Sequence, residues 1–324
     1  MRAWQVSGAG EPADVLRMVE LPEPEPGPGQ IRIRVTAAGI GLPDVLMCRH
    51  TYPLTPATDF TPGQEATGVV TAAGADVEWQ RGTSVMGVTS FIDGHGSFAE
   101  ECLLVADSAF PVPNGLTDAQ AAGFWIPHLT AWAGLVDRGR VEAGEWLAVL
   151  GAAGGSGIAA VQLGRALGAR VIAVVSDDAR AEFASRLGAE HVALLGPDLA
   201  ARLREITGGQ GVDLLYDPVG GTAAEEAWSA LGRHGRLLAV GFASGSWPRI
   251  ETHNLVVTNT SLVGVFAGGY SRPELDSIHR SLSDLVVSGG LRNAVTEEVA
   301  FDQLPAAVQR LADRAVIGKL VMIP

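Results

Sequence analysis

Trp146-Leu147-Ala148-Val149-Leu150 runs directly into Gly151-Ala152-Ala153-Gly154-Gly155-Ser156-Gly157, and the reading of this stretch decides the fold. Its first five residues are a continuous apolar run, which marks a strand buried on both faces. Gly157 to Leu167 then reads as a helix with small residues on one face. A strand, a glycine-rich turn and a helix in that order make a dinucleotide site. Gly154 and Gly155 let backbone approach a pyrophosphate, and Gly157 lets the helix pack close to the strand. The helix N-terminus offers free N–H groups and partial positive charge to the anion. Ala153, Gly154, Gly155, Ser156 and Gly157 are therefore the candidate phosphate contacts. A tight structural turn is the competing reading.

The chain beyond the loop supports the dinucleotide reading. Val171 to Val175 is a second apolar strand, and Ala179 to Leu187 a second helix. Val212 to Tyr216 and Arg236 to Val240 are further strands, and Ser261 to Phe266 is an apolar strand late in this region. Strands alternating with helices imply right-handed βαβ units and a doubly wound parallel sheet. Asp118 to Leu135 reads as a helix, with Thr117 as its cap.

The flanks have another style. Leu21 to Gly29 carries prolines at 22, 24, 26 and 28, which excludes helix and central strand and leaves a linker or a surface loop. Ile31-Arg32-Ile33-Arg34-Val35 alternates with period two, as a half-buried strand does. Gly68 to Val70 and Val85 to Val88 are further short strands, so the region is a β-rich barrel or sandwich. In the tail, Phe301 to Asp313 is an amphipathic helix and Lys319 to Ile323 a last strand. Two domains follow: 1–121 plus 292–324, and 122–291 inserted between them.

The second strand of the βαβ unit bears on cofactor choice. An NAD site places an acid at its end to bond the ribose hydroxyls. Here the strand ends in Val175, followed by Ser176, Asp177 and Asp178. Ser176 can donate to a 2′-phosphate, and Arg180, one helical turn on, can pair with it. These residues read as an NADPH site, with the aspartates set against a phosphate if they face it. Arg180 could instead be a solvated helix charge.

Composition narrows the classes. The 324 residues are 47% hydrophobic with a formal net charge of -13, a surface that repels nucleic acid and anionic membrane. Cys48 and Cys102 cannot make a disulfide scaffold or a Cys-rich zinc site. No apolar signal stretch follows the first residues and no run approaches the length of a membrane span, which points to the cytoplasm.

Several stretches together resemble one family: Ala37 to Asp44, Pro62 to Val70, Thr130-Ala131-Trp132, the glycine loop, Asp217-Pro218-Val219-Gly220-Gly221, and Asn254 through Phe266. The chain resembles the medium-chain dehydrogenase/reductase superfamily, and within it the zinc-independent quinone oxidoreductase group that includes zeta-crystallin. The resemblance implies a Rossmann-type domain inserted into a chaperonin-10-like (GroES-like) β catalytic domain. In the alcohol dehydrogenases of the superfamily, a cysteine stands at the position of Gly41 and a histidine at that of Gln64, and neither ligand is present. The spacing of His95, His128 and Cys102 suggests no other metal site. Without a Lewis acid, alcohol oxidation is disfavoured, whereas a quinone or enone accepts hydride because its own carbonyl stabilises the developing charge.

The resemblance also implies roles. Thr130, a catalytic candidate, would lie near the nicotinamide ring, Phe242 and Phe266 would flank it, Val219 would also contact the cofactor, Ser176 and Arg180 would lie at the adenosine phosphate, and Arg314 near the cofactor. The substrate pocket would be walled by Gly41, Leu42, Leu46, Tyr52, Trp125 and Phe266, with Tyr270 nearby. The proton could come from water or a side chain. Tyr52 is a candidate donor, and a core tyrosine is the alternative. Many quinone reductases carry Asn where this chain has Gly41, some carry Tyr where it has Leu46, and a Tyr of the adenosine pocket is replaced by Leu195. The expected function is NADPH-dependent reduction of a quinone or enone. The rivals are an enoyl-thioester reductase and a non-catalytic NADPH-binding protein. A homodimer joined through the strand Ser261 to Phe266 is expected, unless that strand is covered within the monomer.

Overall fold

The computed structural model describes residues 1–57 and 59–324. In chain order its strands are β1 (Arg2–Val6), β2 (Leu16–Glu20), β3 (Gln30–Ile40), β4 (Glu65–Ala73), β5 (Ser84–Thr89), β6 (Glu101–Pro111) and β7 (Trp146–Leu150). The remainder are β8 (Arg170–Val175), β9 (His191–Leu194), β10 (Val212–Asp217), β11 (Leu231–Ala239), β12 (Ser261–Gly264), β13 (Val295–Ala300) and β14 (Lys319–Ile323). Two compact units form, Met1–Ile126 with Ser271–Val287 and Asn293–Pro324, and Pro127–Tyr270 with Ser288–Arg292. The helix Arg272–Val287 belongs with the first unit. Arg272 donates to the carbonyls of Ala106 and Ala109 at 3.1 Å, and its guanidinium lies over the Phe110 ring.

In the first unit the period-two pattern of β3 buries Ile31, Ile33 and Val35 and leaves Arg34 in solvent. β3 to β6 pair antiparallel in succession, and β6 returns to pair with β3, with Gln30 opposite Val105. This closure makes the region a barrel rather than a sandwich, because β6 is long enough to pair with both β5 and β3, and β3 with β4, β6 and β14. The tail strand β14 adds antiparallel to the far end of β3, and β13 lies parallel to β14.

The predicted helix from 118 to 135 is broken in the structure. Thr117 caps it as expected, in a capping box with Gln120, but the first segment ends at Ala122. A Cβ at Gly123 would stand 2.9 Å from Cγ of Lys319 and 3.1 Å from Val295. Glycine there lets the chain pass close to β13 and β14. The helix resumes over Trp125–Trp132 and widens into a π-helical stretch over Ala133–Arg138.

The second unit is a parallel sheet in the order β12-β11-β10-β7-β8-β9. β7 is buried along its whole length, as its apolar run requires. The chain winds one way through β8 and β9 and the other way through β10, β11 and β12. The order therefore reverses beside β7, which places a ligand crevice at the carboxyl end of that strand. Among the described residues no helix is long and apolar enough to cross a membrane.

Candidate active site

The glycine loop lies at the carboxyl end of β7 and opens the helix Gly155–Ala166. Gly154 is its N-cap and is exposed. Gly157 is buried, and a Cβ there would come within 2.2 Å of the Gly151 carbonyl oxygen, so only glycine permits this approach. The next crossing supplies the turn Asp217–Gly221. Asp217 Oδ1 accepts the amides of Val219 and Gly220 at 2.9 and 2.7 Å, and its Oδ2 is buried without a partner. Burial pushes this carboxyl up to about 6. Val219 reaches the loop, since a Cβ on Gly151 would be 3.0 Å from its Cγ2. After β11, Phe242 pairs with the exposed ring of Trp247 at 4.9 Å. Every one of these segments follows the carboxyl end of a parallel strand. First-turn amides, a glycine that leaves space and an orphaned buried carboxylate oxygen fit a dinucleotide.

At the end of β8, Val175 is buried and offers no acid. Ser176 and Arg180 come together, but on Asp177. The Ser176 hydroxyl donates to Asp177 Oδ2 at 2.9 Å, and the Arg180 guanidinium pairs with the same oxygen. Asp177 Oδ1 accepts the Arg180 amide at 3.0 Å, which caps the helix Asp178–Arg186. The Arg180 amide, followed by the Ser176 hydroxyl, holds the Asp177 carboxyl below its ordinary range. A carboxylate thus occupies the two groups suited to a phosphate.

In the first unit, Gly41 caps the short helix Leu42–Cys48, and its amide donates to Asp44 Oδ2 at 2.8 Å. Asp44 Oδ1 accepts the Gly63 amide at 3.0 Å, so one buried carboxyl ties the Gly41 turn to the Gly63-Gln64 turn. Burial pushes Asp44 up to about 7, against the pull of those amides and of Lys319. Lys319 Nζ pairs with Glu65 Oε1 at 2.7 Å, both nearly out of solvent, and Glu65 Oε2 accepts the Ile126 amide at 2.9 Å. A Cβ on Gly41 would lie 3.8 Å from Lys319 Nζ. Leu42, Leu46 and Tyr52 are half-buried at this helix, and the Tyr52 amide donates to the Leu46 carbonyl at 3.3 Å. Burial raises the Tyr52 phenol, opposed by the neighbouring Gln64 side chain, so it keeps its proton at neutral pH. Gly41, Leu42 and Leu46 thus lie on the helix Leu42–Cys48 and its cap, with Tyr52 shortly after it and the buried Asp44 between them in sequence.

Two family models match the chain: "Alcohol dehydrogenase GroES-like domain" over residues 27–114 and "Zinc-binding dehydrogenase" over 155–283. The chain is 30% identical over 293 residues to a protein from Nematostella vectensis described as quinone oxidoreductase-like protein 2 homolog, covering 88% of this chain and 79% of that one. It belongs to the quinone oxidoreductase-like group of the medium-chain dehydrogenase/reductase superfamily. A 2-haloacrylate reductase from Burkholderia sp. is 31% identical over 257 residues, 74% of this chain and 76% of that protein. A mycobacterial protein solved in complex with NADPH is 30% identical and superposes with a TM-score of 0.93 over the full length of both chains. The GroES-like barrel and the Rossmann-type sheet described above are the two folds of this superfamily, and the chain is an oxidoreductase.

The superfamily's metal positions are instructive in this oxidoreductase. Gly41 has no side chain, and Gln64 is buried with its amide 3.9 Å from Met47 Sδ. Among the described residues, no three His, Cys, Asp or Glu side chains gather where they could hold a metal ion. Cys48 and Cys102 are buried and free, and burial pushes the Cys48 thiol up to about 12. Trp125 is 1% exposed, its ring 4.6 Å from Phe110 and 5.9 Å from His279. Phe266 belongs to the second unit and is largely exposed. Tyr270 donates to Asp137 in that unit. Thr130 is half-buried on Trp125–Trp132, Leu195 is exposed, and Arg314 is exposed with a left-handed φ of 58°. Sequence reading did not single out Asp44, Glu65, Lys319, Tyr216, Asp217 or Trp247 as site residues. Buried charge types within the quoted motifs were the only signal for the first two.

Proposed function

We propose that this chain reduces a conjugated carbonyl compound, a quinone or an enone, with NADPH and without zinc. The observation that carries the reading is the wall at Gly41. It holds an empty glycine position and a buried glutamine amide where zinc dehydrogenases have ligands, flanked by Leu42, Leu46 and Tyr52. A conjugated acceptor delocalises incoming charge onto its own oxygen and needs no Lewis acid. NADPH, when bound, supplies the hydride. The amides of the first turn of Gly155–Ala166 and the Ser156 hydroxyl hold its pyrophosphate. Thr130, Val219, Phe242, Phe266 and Arg314 contact the remainder, and Tyr52 or water returns the proton.

The test is NADPH consumption over quinones, enones, 2-enoyl thioesters and, in reverse, alcohols, each with and without chelator. Turnover of quinones or enones that a chelator leaves intact, and no stoichiometric zinc by elemental analysis, are expected. Turnover confined to thioesters favours an enoyl-thioester reductase. Binding without turnover favours a non-catalytic role. About one zinc per chain, with activity lost in chelator, overturns the metal-free reading.

Ser176 and Arg180 read the 2′-phosphate once Asp177 releases them. Arg180→Ala weakens NADPH roughly tenfold, the scale of one charge-assisted contact, and leaves NADH nearly unchanged. Asp177→Asn removes the competing charge and tightens NADPH several-fold relative to NADH. Isothermal titration with both cofactors checks this, and equal changes for the two contradict it.

Among the described residues β12 is the outer strand of its sheet, with Leu262 exposed on it and Val256 and Val257 on the preceding helix. A second copy paired along this edge gives the expected homodimer. Light scattering at micromolar concentration then reads twice the chain mass, and the monomer mass contradicts it.

A further inference from the structure

Tyr216 lies in β10 next to β7, and its side chain is wholly buried. A phenol hydroxyl taken out of water needs a partner. Its partner is Oγ of Ser156, 2.8 Å away, in the glycine loop. The ring is held in register by the helix that packs on it. A Cβ at Gly134, in the π-helical stretch, would come within 2.8 Å of Tyr216 Cε2, so glycine at that position makes room for the ring.

The direction of this hydrogen bond depends on what lies at the helix end. Two hydroxyls 2.8 Å apart share one hydrogen bond, and either can donate it. Burial raises the Tyr216 phenol far above its ordinary range, so it keeps its proton. Ser156 is the second residue of the helix Gly155–Ala166, at an end where Gly154 supplies no side-chain cap. An anion at that end attracts the serine proton, which leaves Ser156 Oγ as acceptor from the phenol.

We propose that Tyr216 is a positioning residue for the cofactor: its phenol donates to Ser156 Oγ and so presents the Ser156 hydroxyl as a donor to the pyrophosphate. Tyr216 touches no cofactor atom itself. The inference rests on the dinucleotide reading of the glycine loop. Because the pyrophosphate is common to NADPH and NADH, the device acts equally on both. That separates it from Arg180, which acts on the phosphate of one.

The experiment is a double-mutant cycle of Tyr216→Phe and Ser156→Ala, read by isothermal titration with NADPH and with NADH, with circular dichroism melts of all four proteins. Wild type that binds neither cofactor defeats the dinucleotide reading itself. With binding present, each single variant is expected to weaken both cofactors about five- to twentyfold. The double variant is expected to bind no more weakly than Ser156→Ala. Binding by Tyr216→Phe equal to wild type, or losses that multiply in the double variant, overturn the proposal. If Tyr216→Phe melts too low to titrate, Ser156→Ala and Ser156→Thr decide. The proposal then requires loss in the first and substantial recovery in the second, and equal binding by both overturns it.

Discussion

Gly157→Ala is expected to lose stability and cofactor binding together. The added methyl meets the Gly151 carbonyl oxygen at 2.2 Å and Gly151 carbonyl carbon at 2.8 Å, both backbone atoms that cannot rotate away. Either the helix Gly155–Ala166 moves off the sheet or the loop distorts. Overpacking of this kind costs roughly 1–3 kcal/mol. In a unit of this size that lowers the melting temperature by several degrees. A shift of about 1 Å in the amides that face the pyrophosphate weakens NADPH by roughly tenfold to a hundredfold. Gly154→Ala is the control. Its Cβ meets only the Gly151 oxygen, at 3.4 Å, and its φ of -91° suits any residue. It keeps its melting temperature and still weakens NADPH, because the methyl stands where the anion approaches. Melts and titrations of both variants check the pair. A Gly157→Ala protein that binds NADPH like wild type would show that the loop is only a turn.

Gly41→Trp is expected to abolish turnover and spare the cofactor. Gly41 has φ -134° and ψ 165°, an extended conformation open to any residue. A Cβ there is 3.3 Å from Pro43 Cδ and 3.7 Å from Asp44 Oδ2, close but without backbone conflict. An indole at that point covers Leu42 and Leu46 and fills the space a flat acceptor would take. kcat/KM for quinones and enones should fall about a hundredfold or more, with the NADPH dissociation constant unchanged within about twofold. Gly41→Asn should keep activity and narrow the acceptor range, since an amide adds a directional contact. Intact turnover of every acceptor by Gly41→Trp would place the substrate elsewhere.

How much of this was legible depends on the range of the contacts. The βαβ succession could be read because β7 and β8 carry apolar runs buried on both faces, and such runs announce themselves. The closed barrel was half legible: β3 shows its period, but its second partner, β6, lies some seventy residues on and has no turn signal to tie the two. The helix Arg272–Val287 does carry a local signal, since Leu275, Ile278, Leu282 and Leu285 recur at helical spacing and the first three form its buried face. At the candidate site, residue types were readable and their directions were not. Ser176 and Arg180 can be read as residue types suited to a phosphate, yet nothing in their spacing shows that Asp177 engages both. Lys319 read as the first residue of an apolar strand. Its pairing with Glu65, made across the barrel by the β14 to β3 register, has no local signature. Trp125 has no local signature of direction either: an aromatic residue can face either way, and here its ring packs on Phe110 and His279.

Metal-free transfer of hydride from NADPH to a conjugated acceptor is read out by incubating the chelator-treated protein with [4,4-2H2]NADPH and a hydrophobic enone and analysing the product by mass spectrometry. One deuterium is expected at the β-carbon of the saturated ketone, with the α-carbon proton drawn from solvent. A product without deuterium, or no product until zinc is restored, would contradict such transfer.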